Sequence, residues 1–385
     1  MAAATAHTAP AGDQGSVDGI LLLTTALLLC FGLVMVYSSS AVYALKQHDQ
    51  GAHYLLFHGA RALVGLVALC VVARVSGSCL ARHCGWLFAG SVLLCVAVLI
   101  PGVGRLAGGA RRWLGVGALS LQPSELAKLA VVVTLAALLA RAERSGEVRM
   151  RTLLLSVSVA QVPVALILAE PDLGTALVIE LLVAILVFAA GLRLRVLLAL
   201  GFAALPVFYH LVVGTPFRQR RLMSYIDPWN YRQTAGYQVT EALISIGSGG
   251  IQGVGLGESK HKLFFLPEAH TDFVYAIVAE ELGLIGAVLL LLAFAVLSWR
   301  GIVIAMRALT PFDRFLALGM TCLIGVPAVF NTCVVTGLLP TKGLPLPFVS
   351  YGGSNVVAAL AAIGFVLRVD RDNRHGAGVG AGGVG

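Results

Sequence analysis

The sequence predicts an all-α polytopic membrane protein with about ten transmembrane helices and a large extracytoplasmic loop between the seventh and the eighth. The first observation is composition: of 385 residues, 58% are hydrophobic and 12% are charged, and the mean hydropathy is +0.90. The second is pattern, because the apolar residues fall into repeated runs separated by short basic or glycine-containing breaks. Such a chain is too apolar for a soluble domain and is typical of a helical membrane protein.

Ten spans can be drawn from these runs. Their bounds are 20–40, 54–73, 85–100, 122–140, 152–169, 174–190, 196–213, 273–298, 315–336 and 350–369. Alternate short connections hold more than half of the 27 basic residues, so the positive-inside rule places them in the cytoplasm, and the even number of spans places both termini there too. The predicted organisation is a disordered cytoplasmic tail over 1–18, a membrane domain over 19–369 with its outer loop at 214–271, and a cytoplasmic tail over 370–385.

Composition and motifs exclude several classes of function. The formal charge of +8 largely serves topology, so we expect no nucleic-acid partner. An odd count of seven cysteines argues against a disulfide framework. The glycine run at 247–257 lacks the Lys-Ser/Thr pair of a P-loop and follows no strand pattern, which argues against a nucleotide-driven enzyme. The run is either a backbone cradle for a phosphate or a simple turn-rich loop.

Many basic residues fall on the predicted outer side, where topology does not require them. They are Lys46, Arg105, Arg111, Arg112, Arg218, Arg220, Arg221, Arg232, Lys260, Lys262 and Lys342. A cluster of external cations indicates an anionic ligand at that face. Anionic lipid head groups are the equally weighted alternative.

The longest polar segment ends where the eighth span begins, and the junction carries three ionisable side chains. Glu268, His270 and Asp272 lie there, at the predicted boundary between water and hydrocarbon. The simpler interpretation is that Thr271 or Asp272 caps the helix. A cap explains one side chain and leaves the cluster opposite the external cations unexplained.

Two other segments contribute candidate residues. The first, at 109–130, contains Trp113 and then Glu125 and Lys128, which can meet on one helix face and form an ion pair. A lysine inside hydrocarbon is costly and therefore indicates function. The second, at 340–355, holds Lys342 and Ser350 in a proline-broken stretch that must be buried in protein or line a watery cavity.

Four further carboxylates lie in or beside the spans. Asp172 is predicted to cap the sixth helix, and Glu180, Glu280 and Glu281 fall within spans. A carboxylate buried in a membrane needs a partner, which the sequence does not identify.

At this point four segments carry a resemblance. They read QPSELAKLA, EPDLGTALV, FLPEAHTDFVYAIVAEELGLIG and GLLPTKGLPLPFVSYGGSN. In this order they resemble the signature segments of the SEDS family (shape, elongation, division and sporulation), and the likeness extends from Arg111 to Asn355. The PEAHTDF and LLPTKG motifs are more similar to division-type than to elongation-type members.

The resemblance implies a ten-span peptidoglycan glycosyltransferase that polymerises lipid II on the outer face of the cytoplasmic membrane. It implies a class B penicillin-binding transpeptidase as partner, with other divisome membrane proteins, and location at the division septum. It also implies that Asp272 is catalytic and that Arg111, Arg112, Trp113 and Lys342 contact substrate.

We hypothesise that Asp272 is a general base and that external cations stabilise the pyrophosphate leaving group. Candidate contacts with substrate are Arg111, Arg112, Trp113, Lys128, Lys260, Lys262, Glu268, His270, Lys342 and Ser350. Whether the reaction uses a divalent cation, Mg²⁺ or Mn²⁺, is left open, because no set of metal ligands can be recognised in the sequence. The alternatives are a lipid II flippase, an elongation-type polymerase and a non-catalytic scaffold for the transpeptidase.

Overall fold

The structure, a computed structural model, describes residues 17–107, 109–115, 120–144, 150–213, 216–263 and 265–381. Its helices are α1 (Gly19–His48), α2 (His53–Val72), α3 (Gly77–Leu99), α4 (Pro123–Arg144), α5 (Met150–Ala169), α6 (Leu173–Ala189), α7 (Leu194–Val213), α8 (Pro216–Ile226), α9 (Tyr237–Gly249), α10 (Val274–Met306), α11 (Pro311–Val335) and α12 (Gly353–Ala381). A short antiparallel hairpin of β1 (Arg105–Ala107) and β2 (Ala110–Trp113) follows α3.

Each of the ten predicted spans corresponds to one long helix, so the predicted fold class is confirmed. Among the described residues, eight helices are long and apolar enough to cross a membrane, and α6 and the first half of α7 are shorter apolar helices. The chain is an integral membrane protein of ten apolar helices. Most of the predicted N-terminal tail lies outside the described residues, and α12 continues to Ala381 through much of the segment predicted as a C-terminal tail.

Helix α4 is the centre of the bundle. Of its most apolar 18 residues, 89% are buried, and it packs against α3, α5, α6, α11 and α12. The reason lies in its sequence, where alanines such as Ala127, Ala130 and Ala136 are buried and allow neighbouring helices to approach closely. Pro123 stands at its first position, as expected for a residue without an N–H group to satisfy.

Ion pairs join the helices at one end of the bundle, which we call the inner end. Asp18 caps α1 by accepting from the N–H of Leu21 at 2.9 Å, and it forms an ion pair with Arg300 of α10. The N–H of Asp18 donates to Asp370 of α12 at 2.9 Å. The start of α1 and the end of α12 therefore meet at the same end, as an even number of spans requires.

The opposite end, which we call the outer end, carries the long connection between α7 and α10. Helix α9 in this connection packs along α10. Helix α10 is broken at Gly283, whose φ is 66° and ψ is −166°. The break frees the carbonyls of Glu280 and Glu281, and these accept from the N–H groups of Val254 and Gly255, both at 3.0 Å.

The glycine run is therefore the partner of the broken helix. A Cβ at Gly253 would lie 2.2 Å from the carbonyl oxygen of Glu281, so only glycine permits this approach. The phosphate-cradle interpretation is wrong for this part of the run, because two of its N–H groups are already bonded to α10. The requirement for glycine comes from packing of backbone against backbone.

Candidate active site

Asp272 lies at the outer end, immediately before α10. The N-cap of α10 is Phe273, whose side chain makes no capping hydrogen bond. Thr271 instead donates its hydroxyl to Glu268 Oε2 at 2.8 Å. The interpretation of Thr271 or Asp272 as a helix cap is therefore wrong. The Asp272 side chain is half-buried, so it remains accessible from the outer side.

The connection between α11 and α12 covers one side of the Asp272 carboxylate. A Cβ built on Gly343 would lie 2.7 Å from Asp272 Oδ2, so the backbone at 343 rests directly against the carboxylate. Lys342 is the preceding residue and is half-buried. The structure thus brings two predicted site residues, far apart in sequence, to the same place.

His270 lies in an aromatic cluster beside Asp272. Its ring stacks on Tyr43 with 5.4 Å between centroids and lies 5.3 Å from Tyr54 and 6.0 Å from Tyr351. Burial lowers the pKa of His270, although Glu268 opposes this shift, so the imidazole is neutral at physiological pH. His270 shapes the site as an uncharged ring. Glu268 itself is exposed and has a φ of 56°.

The β-hairpin brings two arginines to the outer end. Arg112 donates to the carbonyl of Glu170 at 3.1 Å and to that of Pro171 at 2.6 Å, which ties the hairpin to the turn between α5 and α6. Arg111 and Trp113 are both half-buried.

The same turn packs against the connection that covers Asp272. A Cβ on Gly174 would lie 3.5 Å from the carbonyl oxygen of Gly343 and 3.1 Å from Leu344. Asp172 accepts from the N–H of Thr175 at 3.1 Å, so its predicted role as the cap of α6 is confirmed. The hairpin thus contacts the turn, the turn contacts the covering connection, and this connection contacts the Asp272 carboxylate. We call these three segments together the wall.

Glu170 in this turn was not predicted as a site residue. Its side chain is 1% exposed, and among the described residues neither carboxyl oxygen has a hydrogen-bond partner. Burial, assisted by the nearby Asp172, raises the pKa of Glu170 to about 8. Its polar residue type in a tight turn gave no sign of this burial.

Three predicted contacts have partners inside the protein. Lys128 pairs with Glu125 at 2.8 Å, and Lys262 pairs with Glu281 at 2.7 Å, both pairs being buried. Ser350 accepts from the N–H of Leu346 at 2.8 Å and shapes the loop. The structure does not bring these side chains into the wall around Asp272, and their contact with substrate stays a prediction.

Lys260 is the remaining predicted contact. Its side chain is exposed, and its backbone N–H donates to Glu280 Oε1 at 3.0 Å. Ser245 and Ser259 also donate to Glu280, and the His261 ring lies 3.0 Å from it. Glu280 and Glu281 thus find the partners that a buried carboxylate requires, and they anchor the long connection to α10.

Arg61, which lies within the second predicted span, was not predicted as a site residue. The guanidinium lies 3.3 Å from the hydroxyl of Tyr351 and 3.2 Å from that of Ser120. It also lies 5.7 Å from the centroid of the Tyr351 ring. The cost of an arginine in hydrocarbon was the signal that could have identified it.

The residues around Asp272 do not form a metal site by themselves. In the parts of the chain that the structure describes, no three His, Cys, Asp or Glu side chains are close enough together to hold an ion.

The fold and this site define a class: an integral membrane protein with a carboxylate, cations and aromatic rings gathered at one membrane face. More particularly, the chain belongs to the FtsW/RodA/SpoVE family of cell cycle proteins, whose model matches residues 19–375. This is the SEDS family indicated by the sequence motifs.

Named relatives and solved structures agree with this assignment. The probable peptidoglycan glycosyltransferase FtsW of Geobacter sulfurreducens is 41% identical over 91% of this chain and 94% of the relative. Stage V sporulation protein E of Bacillus subtilis is 40% identical over 94% and 98%. A solved peptidoglycan synthase complex gives a TM-score of 0.78 at 31% identity, over 93% of this chain and 99% of that one. Rod shape determining protein RodA of Thermus thermophilus gives 0.69 at 31%, over 93% and 98%.

Proposed function

We propose that the chain is a peptidoglycan glycosyltransferase that polymerises lipid II into β-1,4-linked glycan strands at the outer face of the cytoplasmic membrane. The names of its relatives support the activity. The observation that carries the proposal is the position of Asp272. Its residue precedes the N-cap of α10, and its carboxylate lies against the backbone next to Lys342 at the outer end of a membrane bundle.

Asp272 acts as the general base. It takes the proton from the 4-hydroxyl of the acceptor GlcNAc while that oxygen attacks the anomeric carbon of the donor MurNAc. The bond from that carbon to undecaprenyl pyrophosphate breaks, and the electron pair leaves with the phosphate. Inversion at the carbon gives the β linkage, and the proton remains on Asp272 until solvent removes it.

The cations of the wall stabilise the departing pyrophosphate. Lys342, Arg111 and Arg112 are fixed before the reaction, so they meet the developing charge without reorganisation in a partly desolvated site. Trp113 and the aromatic cluster around His270 exclude water from the sugars. A divalent cation, Mg²⁺ or Mn²⁺, that arrives with the pyrophosphate would add to the same stabilisation.

The partner we propose is a class B penicillin-binding transpeptidase that cross-links the new strands. A solved relative described as coordinating polymerization and crosslinking supports this pairing. Identities of 39–41% to division and sporulation proteins, against 30–31% to the solved RodA chains, support a role in septal synthesis with other divisome proteins. Basic residues at the inner end support cytoplasmic termini.

A flippase is the alternative from another class, and it requires a continuous path of intramembrane charges. The structure places the three candidates in separate contacts: Lys128 with Glu125, Glu281 with Lys262, and Glu180 with Gln161. Such an arrangement favours structural ion pairs over a path.

The test is polymerisation of lipid II by the purified protein, alone and with a candidate transpeptidase, in wild type and Asp272→Asn. Glycan product from the wild type and none from the variant is the expected result. Movement of lipid II across liposomes without polymer in either protein would replace the enzyme by the transporter.

A further inference from the structure

We propose that Asn331 of α11 is a positioning residue that clamps the Asp272 segment to the loop carrying Lys342. The inference deepens the proposed glycosyltransferase function and rests on it. The amide nitrogen Nδ2 of Asn331 donates to the carbonyl of Asp272 at 2.8 Å and to that of Leu344 at 2.7 Å. One side chain therefore holds both sides of the candidate site.

The orientation of the amide follows from its neighbours. Two carbonyl oxygens lie within hydrogen-bond distance of one terminal atom, and a carbonyl oxygen can only accept. The terminal atom must therefore be the nitrogen, whose two hydrogens match the two acceptors. No other uncharged side chain of this size brings two donors on one atom to this place.

Both ends of the short segment before α10 are fixed from the same direction. Asn331 holds the carbonyl of Asp272, and the backbone N–H of Tyr351 donates to the carbonyl of His270 at 2.8 Å. Tyr351 and Leu344 belong to the connection between α11 and α12. The segment from 270 to 272 is thus tied to this connection at two points, and the second point uses backbone atoms that mutation cannot remove.

The amide oxygen Oδ1 of Asn331 indicates that an asparagine at this position does more than fill space. The residue is 1% exposed, and its Oδ1 is buried without a hydrogen-bond partner in the described residues. An unsatisfied acceptor costs free energy that a leucine of similar size would avoid. The two hydrogen bonds donated by Nδ2 are therefore what an asparagine contributes here and a leucine would not.

The consequence for catalysis is geometric. A general base must lie within hydrogen-bond reach of the proton it removes, and a displacement of about 1 Å can cost about 100-fold in rate. Leu344 follows Gly343, whose backbone touches the Asp272 carboxylate. The hydrogen bond from Asn331 to the Leu344 carbonyl therefore sets the distance between the Asp272 carboxylate and the loop that carries Lys342. The hydrogen bond to the Asp272 carbonyl sets the direction in which the Asp272 side chain leaves the backbone.

The experiment compares Asn331→Leu with wild type in lipid II polymerisation, measuring kcat and KM separately. We expect kcat to fall at least about 10-fold while KM and lipid II binding change less than about 2-fold, because Asn331 positions the base and does not itself contact the substrate. The matched control is Thr332→Val on the next residue of α11. Its hydroxyl bonds only the Ala328 carbonyl of the same helix, at 2.9 Å, and kcat should be unchanged.

A second measurement keeps the test valid if the leucine variant folds poorly. Asn331→Asp preserves the shape but lacks the two N–H donors, and it should lose kcat to a similar extent. Hydrogen exchange should increase in the segment 268–276 and remain unchanged through the rest of α11 and in α12. Exchange that rises equally throughout both helices, together with a lower Tm, would assign Asn331 an ordinary structural role and overturn the proposal.

The two levels of inference can be separated in the same assay. Full kcat in both Asn331 variants, with an inactive Asp272→Asn, would reject the clamp and leave the glycosyltransferase mechanism intact. Polymerisation by Asp272→Asn would reject the mechanism itself.

Discussion

The two ends of the bundle use their charges differently. At the inner end, arginines meet carboxylates of other helices: Arg300 meets Asp18, Arg368 meets Asp313, and Arg314 meets Glu143. At the outer end, Arg112 bonds to backbone carbonyls, and Glu170 has a buried carboxyl without a partner in the described residues. The arginines of the inner end are therefore neutralised by carboxylates, whereas Arg112 at the outer end is held by neutral carbonyls and keeps its positive charge.

Asp272→Asn should have the largest effect and gives the strongest test of this difference. The amide cannot accept a proton, so polymerisation should fall by about 10²–10⁴-fold. Because Phe273 is the N-cap of α10 and the amide keeps the shape of the side chain, the Tm should stay within about 1 °C of wild type. The rate of glycan formation measures the loss of activity, and a thermal melt in the same detergent measures the Tm. A lowered Tm would show that the outer carboxylate is structural, as the inner ones are.

Lysines 262 and 342 allow a direct comparison within the outer end. Lys262→Met should destabilise the fold by about 3–5 kcal/mol, because it leaves Glu281 buried and unpaired. Lys342→Met should destabilise the fold less than Lys262→Met, because Lys342 is only half-buried. It should reduce kcat about 10²–10³-fold, as expected for the loss of one electrostatic contact to a transition state. Equal stability losses in the two variants would contradict the assignment of Lys342 to the site.

Gly343→Ala tests the contact between the covering loop and the base. The added Cβ would lie 2.7 Å from Asp272 Oδ2, so the carboxylate must move, and activity should fall about 10-fold or more. Gly247→Ala is the control, since a Cβ there meets nothing within 4 Å. Normal activity in both variants would mean that the loop gives way without affecting the base.

Glu170→Gln should have the smallest effect on activity; its effect should appear instead in the dependence of stability on pH. The folded-state pKa of Glu170, about 8, exceeds its ordinary value of 4.5, so the folded state binds the proton more tightly than the unfolded state. Its contribution to stability is therefore full below pH 4.5 and is lost as pH rises to about 8, by at most about 1.4 kcal/mol per pH unit. The variant should lose this slope in melts from pH 5 to 8. An identical slope in wild type and variant would show that Glu170 is not the titrating group.

The sequence alone determined the number, order and approximate bounds of the ten membrane helices, because hydrophobic length in a bilayer is a local property of the chain. It also identified Asp272, Lys342 and the arginines of the hairpin, since charges beside hydrocarbon are conspicuous without any structure. The caps and pairs it predicted within one helix, such as Asp172 in α6 and Glu125 with Lys128 in α4, are present.

Only the tertiary structure decided which of these charges share a site. Lys262 and Lys342 look alike in the sequence, yet one is buried against Glu281 and the other adjoins Gly343 beside Asp272. The sequence left two interpretations of the glycine run at 247–257. The structure shows that this run bonds to the carbonyls that the break at Gly283 frees in α10. The role proposed for Asn331 could not be predicted, because the two carbonyls that accept its hydrogen bonds lie 59 and 13 residues away in the sequence. Contacts over such separations depend on how helices pack, which no local pattern of residues encodes.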